Sequence, residues 1–204
     1  MKKTAETSTP ILSEIAERWS PRAYDNTYEV SKEDLTAVLE AGRWAPSANN
    51  LQPWRFSVVT RGEELHTAIV EQAMSGFNAA WVPSASNIIF ISVPSVNQDG
   101  NPYPIALFDA GLAAQNIMLQ AQALGLATHP ISGYNHEIVT NLLGLEKDRN
   151  SIAAVVLGKQ GELAGLPTPA QEREVAPRTR LSPLLPGAVP APAKAKPSAP
   201  PEEA

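Results

Sequence analysis

The chain contains no cysteine and only three histidines, His66, His129 and His136. The absence of cysteine excludes disulfide bonds, thiolate metal sites and a cysteine nucleophile, and it leaves the redox compartment undetermined. The three histidines do not have the spacing of any recognised zinc motif. The sequence therefore predicts no metal site.

An excess of positive charge and a long apolar run are also absent. The net charge of −5 argues against nucleic acid or an anionic membrane as the main partner. No apolar run approaches the length that spans a membrane, and the basic residues after Met1 are not followed by the apolar region of a signal peptide. We therefore expect a cytoplasmic protein. Its 204 residues are enough for one domain with a real core.

Apolar periodicity predicts strands separated by helices, which indicates an α/β or α+β sandwich. We expect helices at 10–18, from Ser31 to about Gly42, and at 63–75, 105–124 and 136–143, with strands at 54–60, 87–93, 126–131 and 151–158. Thr9-Pro10, Ser31 and Asn135 read as helix N-termini. The helix at 105–124 is apolar on nearly every side, which predicts burial all round, within the domain or against a second subunit. Residues 184–204 are rich in proline and alanine and are predicted to form a disordered tail after a domain of residues 1–183.

The loop Pro46-Ser47-Ala48-Asn49-Asn50-Leu51-Gln52-Pro53-Trp54 carries more amide and hydroxyl groups than a turn requires. Amides both donate and accept hydrogen bonds, so they suit the edge of a heteroaromatic ring of mixed polarity. The alternative is a proline-bounded turn whose Asn side chains bond the local backbone. From this loop alone, both interpretations remain open.

Two arginine pairs each flank a hydroxyl residue, in Arg18-Trp19-Ser20-Pro21-Arg22 and in Arg178-Thr179-Arg180. In an extended segment alternate side chains point the same way, and Pro21 disfavours a helical Ser20. Planar guanidinium groups suit a phosphate or another oxyanion. The alternative is solvated surface arginines, but two such pairs in an acidic protein suggest one shared anion.

The segment from Gly125 to Tyr134 follows the apolar helix and contains Ser132-Gly133. A glycine after a short strand lets the backbone approach a ligand and offer its N–H as a donor. The alternative is an ordinary turn before the Asn135 cap. His129 stands among apolar residues and is interpreted as a hydrogen-bonded core imidazole rather than a catalytic group.

In their order and spacing, these segments resemble the nitroreductase family of FMN-dependent oxidoreductases. The matching pieces are Arg18-x-Ser20-x-Arg22, Pro46 to Trp54, the helix start Asp109 to Asn116, the strand and loop from Gly125 to Gly133, and Arg178-x-Arg180. The resemblance spans residues 11 to about 183. It implies an α+β fold, an α-β-α sandwich with a central mixed or antiparallel sheet. It also implies an intertwined homodimer with two FMN sites at the interface.

The resemblance also implies roles for single residues. One chain would supply Arg18, Ser20, Arg22, Asn78, Ser132, Gly133, Arg178 and Arg180, and the partner chain would supply Pro46, Ser47, Asn50 and Gln52. The phosphate would pair with Arg18, Arg178 and Arg180, and Ser20 would bond ribityl or phosphate oxygens. Arg22 would lie toward flavin N1 and O2, Asn78 near the pyrimidine edge, and the Gly133 N–H, with that of Ser132, would donate to N5. Trp54 is expected in the core.

The implied reaction is a ping-pong cycle in which NAD(P)H gives a hydride to N5 and an electron-poor acceptor of nitroaromatic, quinone or enal type then takes it. The sequence departs from the family pattern at Ser132, where many members are acidic, and at Trp81, where some are basic. It also has only a short loop at 94–104, where larger members insert lid helices. Two alternatives stay open: a specialised dehydrogenase, reductive dehalogenase or flavin-cleaving enzyme, and a flavin-binding protein without turnover.

Overall fold

The computed structural model describes residues 1–180, and these form helices on both sides of one sheet. The predictions for residues 181–204, including the tail at 184–204, lie outside the described residues. The strands are β1 (Arg55–Thr60), β2 (Asn87–Pro94), β3 (Ala127–Ile131) and β4 (Arg149–Gly158). The helices are α1 (Ser13–Glu17), α2 (Lys32–Arg43), α3 (Glu64–Gln72), α4 (Gly76–Ala79), α5 (Ile105–Ala123), α6 (His136–Leu142) and α7 (Thr168–Val175).

The four strands pair in the order β1-β2-β4-β3, and every pairing is antiparallel. The predicted α+β fold is therefore confirmed, with an antiparallel sheet among residues 1–180. The central strand β2 is buried along almost its whole length because helices cover both faces. This explains why its sequence is a continuous apolar run rather than an alternating one.

Alternate residues of β2 belong to two separate cores. Ile88 and Phe90 belong to one core, which also contains Ile69 of α3 and Trp81. Ile89 and Ile91 belong to the other core, which contains the buried apolar residues of α5. This alternation follows from the two-residue period of a strand. The result is a three-layer sandwich in which α5 and α2 cover one face of the sheet.

Helix α5 lies close to α2. A Cβ atom at Gly42 would stand 2.8 Å from Ile117 Cγ1, so only glycine allows the two helices this approach. The expectation that α5 is buried on all sides is not met within one chain, because Leu107 and Phe108 are 53% and 63% exposed. No helix within residues 1–180 combines the length and apolarity that a membrane span needs.

The helix starts test the predicted caps. Ser31 Oγ accepts from Asp34 N at 3.0 Å and Asn135 Oδ1 accepts from Ile138 N at 3.1 Å, which confirms both. The prediction of a helix N-terminus at Thr9-Pro10 is wrong. The first helical hydrogen bond of α1 runs from Ala16 N to the Leu12 carbonyl at 3.0 Å, so α1 begins at Ser13 and has no side-chain cap.

Candidate functional site

The loop of residues 46–54 has an unusual backbone. Asn49, Asn50 and Gln52 all have positive φ angles, of 50°, 57° and 46°. Left-handed backbone costs L-residues free energy, although asparagine tolerates it better than most. Three such residues in one loop mean that the surrounding contacts impose its shape, a pattern that clusters at ligand sites.

Contacts from the loop and from the core below it hold this shape. Asp109, a buried residue of α5, accepts a hydrogen bond from Ala48 N at 3.2 Å. Within the loop, Ser47 Oγ accepts from Gln52 N at 3.0 Å. From β4, Arg149 Nη1 donates to the Pro53 carbonyl at 2.9 Å. The loop is therefore pre-organised, with the Asn49 and Asn50 side chains left exposed.

The first arginine motif is extended, as predicted, but its two arginines have different partners. Arg18 Nη1 donates to Ser20 Oγ at 3.3 Å, so these two side chains lie on one side. Arg22 turns to α7, where Glu174 Oε1 accepts from Arg22 N at 2.9 Å and lies 3.4 Å from Arg22 Nη1. The motif thus joins the start of the chain to α7.

The second arginine motif lies beside the first. Arg178 Nη1 donates to the carbonyls of Lys3 and Ala16 at 2.6 and 2.7 Å, which brings it to the end of α1. Arg180 is exposed and bonds only its neighbouring Thr179 carbonyl among residues 1–180. Burial lowers the pKa of Arg18 below its usual value, and the positive charges of Arg178 and Arg180 lower it further. The structure therefore brings the two arginine motifs together.

Two charged residues of this cluster are absent from the sequence prediction. Lys3 Nζ donates to the Ala176 carbonyl at 2.5 Å and lies 4.6 Å from the centre of the Trp19 ring. Glu174 is completely buried. Neither stands in a local motif, because each meets its partners only through contacts between the two ends of the chain. We call Lys3, Arg18, Arg22, Arg178 and Arg180 the cation cluster.

The predicted turn at Ser132-Gly133 contacts Asn78. Asn78 Nδ2 donates to the Gly133 carbonyl at 3.0 Å. A Cβ atom at Gly133 would lie 2.9 Å from the same nitrogen, so a larger residue here would displace the Asn78 side chain. The Ser132 carbonyl accepts from His136 Nε2 at 2.9 Å. The turn is thus fixed from two sides while Ser132 and Gly133 stay exposed.

The 46–54 loop and the cation cluster lie at opposite ends of α5. Asp109, in the second turn of α5, bonds the loop, whereas Gln122, in its last turn, lines a cavity with Lys3 and Trp19. The thirteen steps from Asp109 to Gln122 correspond to roughly 20 Å of helix. One chain therefore does not bring the loop to the arginines.

Exposed apolar side chains surround the 46–54 loop. Trp44 precedes the loop and Leu51 lies within it, with exposed fractions of 73% and 53%, and the exposed Leu107 and Phe108 precede Asp109 on α5. Clustered exposed apolar residues of this size mark an interaction surface. We call these four residues the apolar rim.

The aromatic residues near the motifs belong to the core. Trp54 is buried, which confirms its expected core position. Trp81 is also buried and packs on His129, with ring centres 4.6 Å apart. His129 Nδ1 donates to the Pro21 carbonyl at 2.9 Å, as expected for a hydrogen-bonded core imidazole, and burial lowers its pKa to about 4.

The residues present fit a phosphorylated flavin. Of the cation cluster, only Arg22 has a carboxylate within 4 Å among residues 1–180, so the cluster suits a phosphate dianion. The Gly133 turn provides the close backbone approach that a ring requires. Within residues 1–180 there is no group of three or more side chains placed to bind a metal ion.

Comparisons with known proteins show which family this chain resembles. Residues 15–159 match the family model described as the nitroreductase family. The chain is 30% identical over 168 residues to "Putative NAD(P)H nitroreductase YdgI" of Bacillus subtilis, covering 65% of this chain and 79% of that protein. It is 32% identical over 152 residues to "Putative NADH dehydrogenase/NAD(P)H nitroreductase" of Archaeoglobus fulgidus, covering 72% of this chain and 83% of that protein.

The fold is also similar to that of solved structures. A crystal structure of an oxidoreductase containing FMN superimposes with a TM-score of 0.78 and 31% sequence identity. The match covers 85% of this chain and 89% of that chain. The similarity therefore extends over nearly the whole of both molecules.

Proposed function

Because the chain belongs to the nitroreductase family, we propose that it is an FMN-dependent NAD(P)H oxidoreductase that reduces electron-poor acceptors in a ping-pong cycle. FMN, when bound, supplies the chemistry by taking a hydride from NAD(P)H at N5 and passing it to a nitroaromatic, quinone or enal-type acceptor. The observation that carries the proposal is the cation cluster, which gathers five basic residues from both ends of the chain.

Three arginines of the cation cluster, Arg18, Arg178 and Arg180, would hold the phosphate. Arg18 and Ser20 already lie on one side, and Arg178 is held in place by the carbonyls of Lys3 and Ala16. Arg180 is exposed and free to move onto the phosphate. Groups that are fixed before binding lose less conformational entropy when the ligand arrives.

The Gly133 turn would orient the flavin ring. We propose that the Gly133 N–H, with that of Ser132, donates toward N5, and that Asn78 fixes the turn through the Gly133 carbonyl. Arg22 would supply positive charge at the N1 and O2 edge, where negative charge develops on reduction. No side chain of this set has to act as a nucleophile.

We propose that the site is completed by a second copy of the chain. The 46–54 loop lies roughly 20 Å of helix away from the cation cluster, so Pro46, Ser47, Asn50 and Gln52 would reach the partner's flavin rather than their own. The apolar rim next to the loop is the surface that a homodimer would bury. A two-fold axis then generates two equivalent sites from one interface.

The acceptor side of the site would be open. Residues 95–104 form a short turn of their own, in which Asn97 Oδ1 accepts from Asp99 N at 3.0 Å and from Asn101 N at 2.9 Å. This turn has no helix that could cover a ring. We therefore expect a broad range of planar, electron-poor acceptors.

Absorbance spectroscopy of the purified protein tests the proposal. Reconstitution with FMN should give a yellow protein that NADH or NADPH bleaches without oxygen and that an added quinone or nitroaromatic restores. A yellow protein that neither nucleotide bleaches would favour a flavin binder or a specialised reaction. A protein that takes up no FMN would refute the proposal.

A further inference from the structure

Glu174 is a buried carboxylate in the last turn of α7, directly beside the cation cluster. Its Oε1 atom accepts from the backbone N–H of Arg22 at 2.9 Å and lies 3.4 Å from Arg22 Nη1. One oxygen atom therefore fixes both the backbone and the guanidinium group of Arg22. The sequence shows no sign of this contact, which spans 152 positions.

In the Glu174–Arg22 pair, each side chain has one polar atom without a hydrogen bond among residues 1–180. Glu174 Oε2 and Arg22 Nε are both buried and have no hydrogen-bond partner among residues 1–180. A buried carboxylate with one unsatisfied oxygen costs free energy that a single ion pair does not fully offset. The contact is therefore poorly explained as a stabilising salt bridge alone.

The charge of Glu174 reaches beyond Arg22. Burial lowers the pKa of Lys3, and the charge of Glu174 opposes this lowering, whereas the charges of Arg22 and Arg178 add to it. The Glu174 charge also acts on Tyr24, a buried neighbour of the same cluster. Because Glu174 is excluded from water, its field is weakly screened and acts over several ångströms.

We propose that Glu174 is a positioning residue that fixes Arg22 and sets the strength of the positive field acting on bound FMN. This inference rests on the proposed FMN site. The Glu174 carboxylate lies against the Arg22 guanidinium group and offsets its charge, so the flavin meets a weaker field. Without that negative charge the field of the cation cluster would be more positive. The other cations would then bind the phosphate more strongly, and Arg22 at the N1 and O2 edge would favour the reduced flavin.

Glu174→Gln tests this with little change of shape. Gln retains an oxygen that accepts from Arg22 N, so the position of Arg22 is kept while the charge is removed. We expect the apo-protein to bind FMN about tenfold more tightly, with little change in its affinity for riboflavin, which lacks the phosphate. We also expect a more positive midpoint potential for bound FMN.

Glu172→Gln is the matched control, because Glu172 lies on the same helix and is exposed. It should leave the ratio of FMN to riboflavin affinity and the potential at their wild-type values. If Glu174→Gln does not fold, Glu174→Ala carries the same test. A loosened site would lower the affinities for FMN and riboflavin alike. Removal of the Glu174 charge would instead raise the ratio of FMN to riboflavin affinity.

An unchanged or lower ratio in the Glu174 variants, with an unchanged potential, would overturn the inference. Failure of the proposed function looks different, since wild-type protein would then bind neither flavin. The two results are separated by measuring wild-type FMN binding first.

Discussion

The carboxylate of Asp109 lies beneath the 46–54 loop and accepts a hydrogen bond from the backbone amide of Ala48 at 3.2 Å. Asp109 is 1% exposed, so the core of α5 directly fixes the start of the loop. The loop's three left-handed residues follow within four positions of this contact. A buried group thus imposes a strained surface shape.

Replacing Asp109 should loosen the loop. Asp109→Ala leaves the Ala48 N–H without an acceptor, which we expect to lower the free energy of unfolding by about 1–2 kcal/mol and to weaken FMN binding. Asp109→Asn keeps an acceptor oxygen, so it should retain most of the stability and most of the FMN affinity of the wild type. Urea unfolding and FMN fluorescence titration measure the two effects. Equal losses in both variants would show that the charge matters, not the hydrogen bond.

A methyl group at Gly133 should disturb the turn. Gly133→Ala places a Cβ atom 2.9 Å from Asn78 Nδ2, and we expect FMN binding to weaken about tenfold. The double variant with Asn78→Ala removes the clash and should recover part of the loss. Gly165→Ala is the control, since its Cβ would meet no atom within 4 Å. Normal FMN binding by Gly133→Ala would remove this turn from the site.

Arg180, the exposed arginine of the second arginine motif, should contribute to FMN binding without contributing to the free energy of unfolding. Because Arg180 bonds only Thr179 among residues 1–180, Arg180→Ala should weaken FMN binding about tenfold and leave the free energy of unfolding unchanged. Arg178→Ala should lower both the FMN affinity and the free energy of unfolding, because it also removes the hydrogen bonds to the Lys3 and Ala16 carbonyls. The exposed Lys147→Ala provides a control for net charge. Calorimetry and thermal unfolding would separate the two arginines.

His129 should make stability depend on pH. Its pKa is lowered to about 4 by burial, whereas the unfolded value is near 6.5. Above pH 6.5 the imidazole is neutral in both states. As pH falls from 6.5 to 4 only the unfolded chain gains the proton, so stability falls by up to about 1.4 kcal/mol per pH unit and then levels off.

His129→Gln isolates this contribution, because it removes the titration while an amide N–H can still reach the Pro21 carbonyl. The difference between wild type and variant in the free energy of unfolding should shrink between pH 7 and pH 4.5. A difference that stays constant over this range would contradict a buried, neutral His129.

Local patterns were sufficient to predict the four strands, five of the seven helices within residues 1–180 and several motifs, whereas α4 and α7 were not predicted. The caps at Ser31 and Asn135, the bounds of α5 and the core position of Trp54 follow from periodicity and hydrogen-bonding chemistry alone. Thr9-Pro10 has the same local chemistry but no cap forms there. The residues that were missed are those with distant partners.

Lys3 and Glu174 illustrate the limit for the site. Each resembles an ordinary surface charge in sequence. Lys3 belongs to the cation cluster, and Glu174 lies beside it, only because residues 1–22 and 174–180 meet in the fold. The compensation of Arg22 by Glu174 is therefore a property of the fold. The positive φ angles of the 46–54 loop depend in the same way on Asp109, 61 positions from Ala48.

The central claim, that two chains share each FMN site, can be tested with a mixed dimer. One chain would carry Ser47→Ala and Asn50→Ala, and the other Arg18→Ala and Arg180→Ala, each with its own affinity tag. Each variant alone should bind FMN poorly. The mixed dimer, purified on both tags, should bind about one FMN per dimer with wild-type affinity, since one of its two sites is intact. A mixed dimer that binds no better than its parents, or a monomer that binds FMN tightly, would contradict the account.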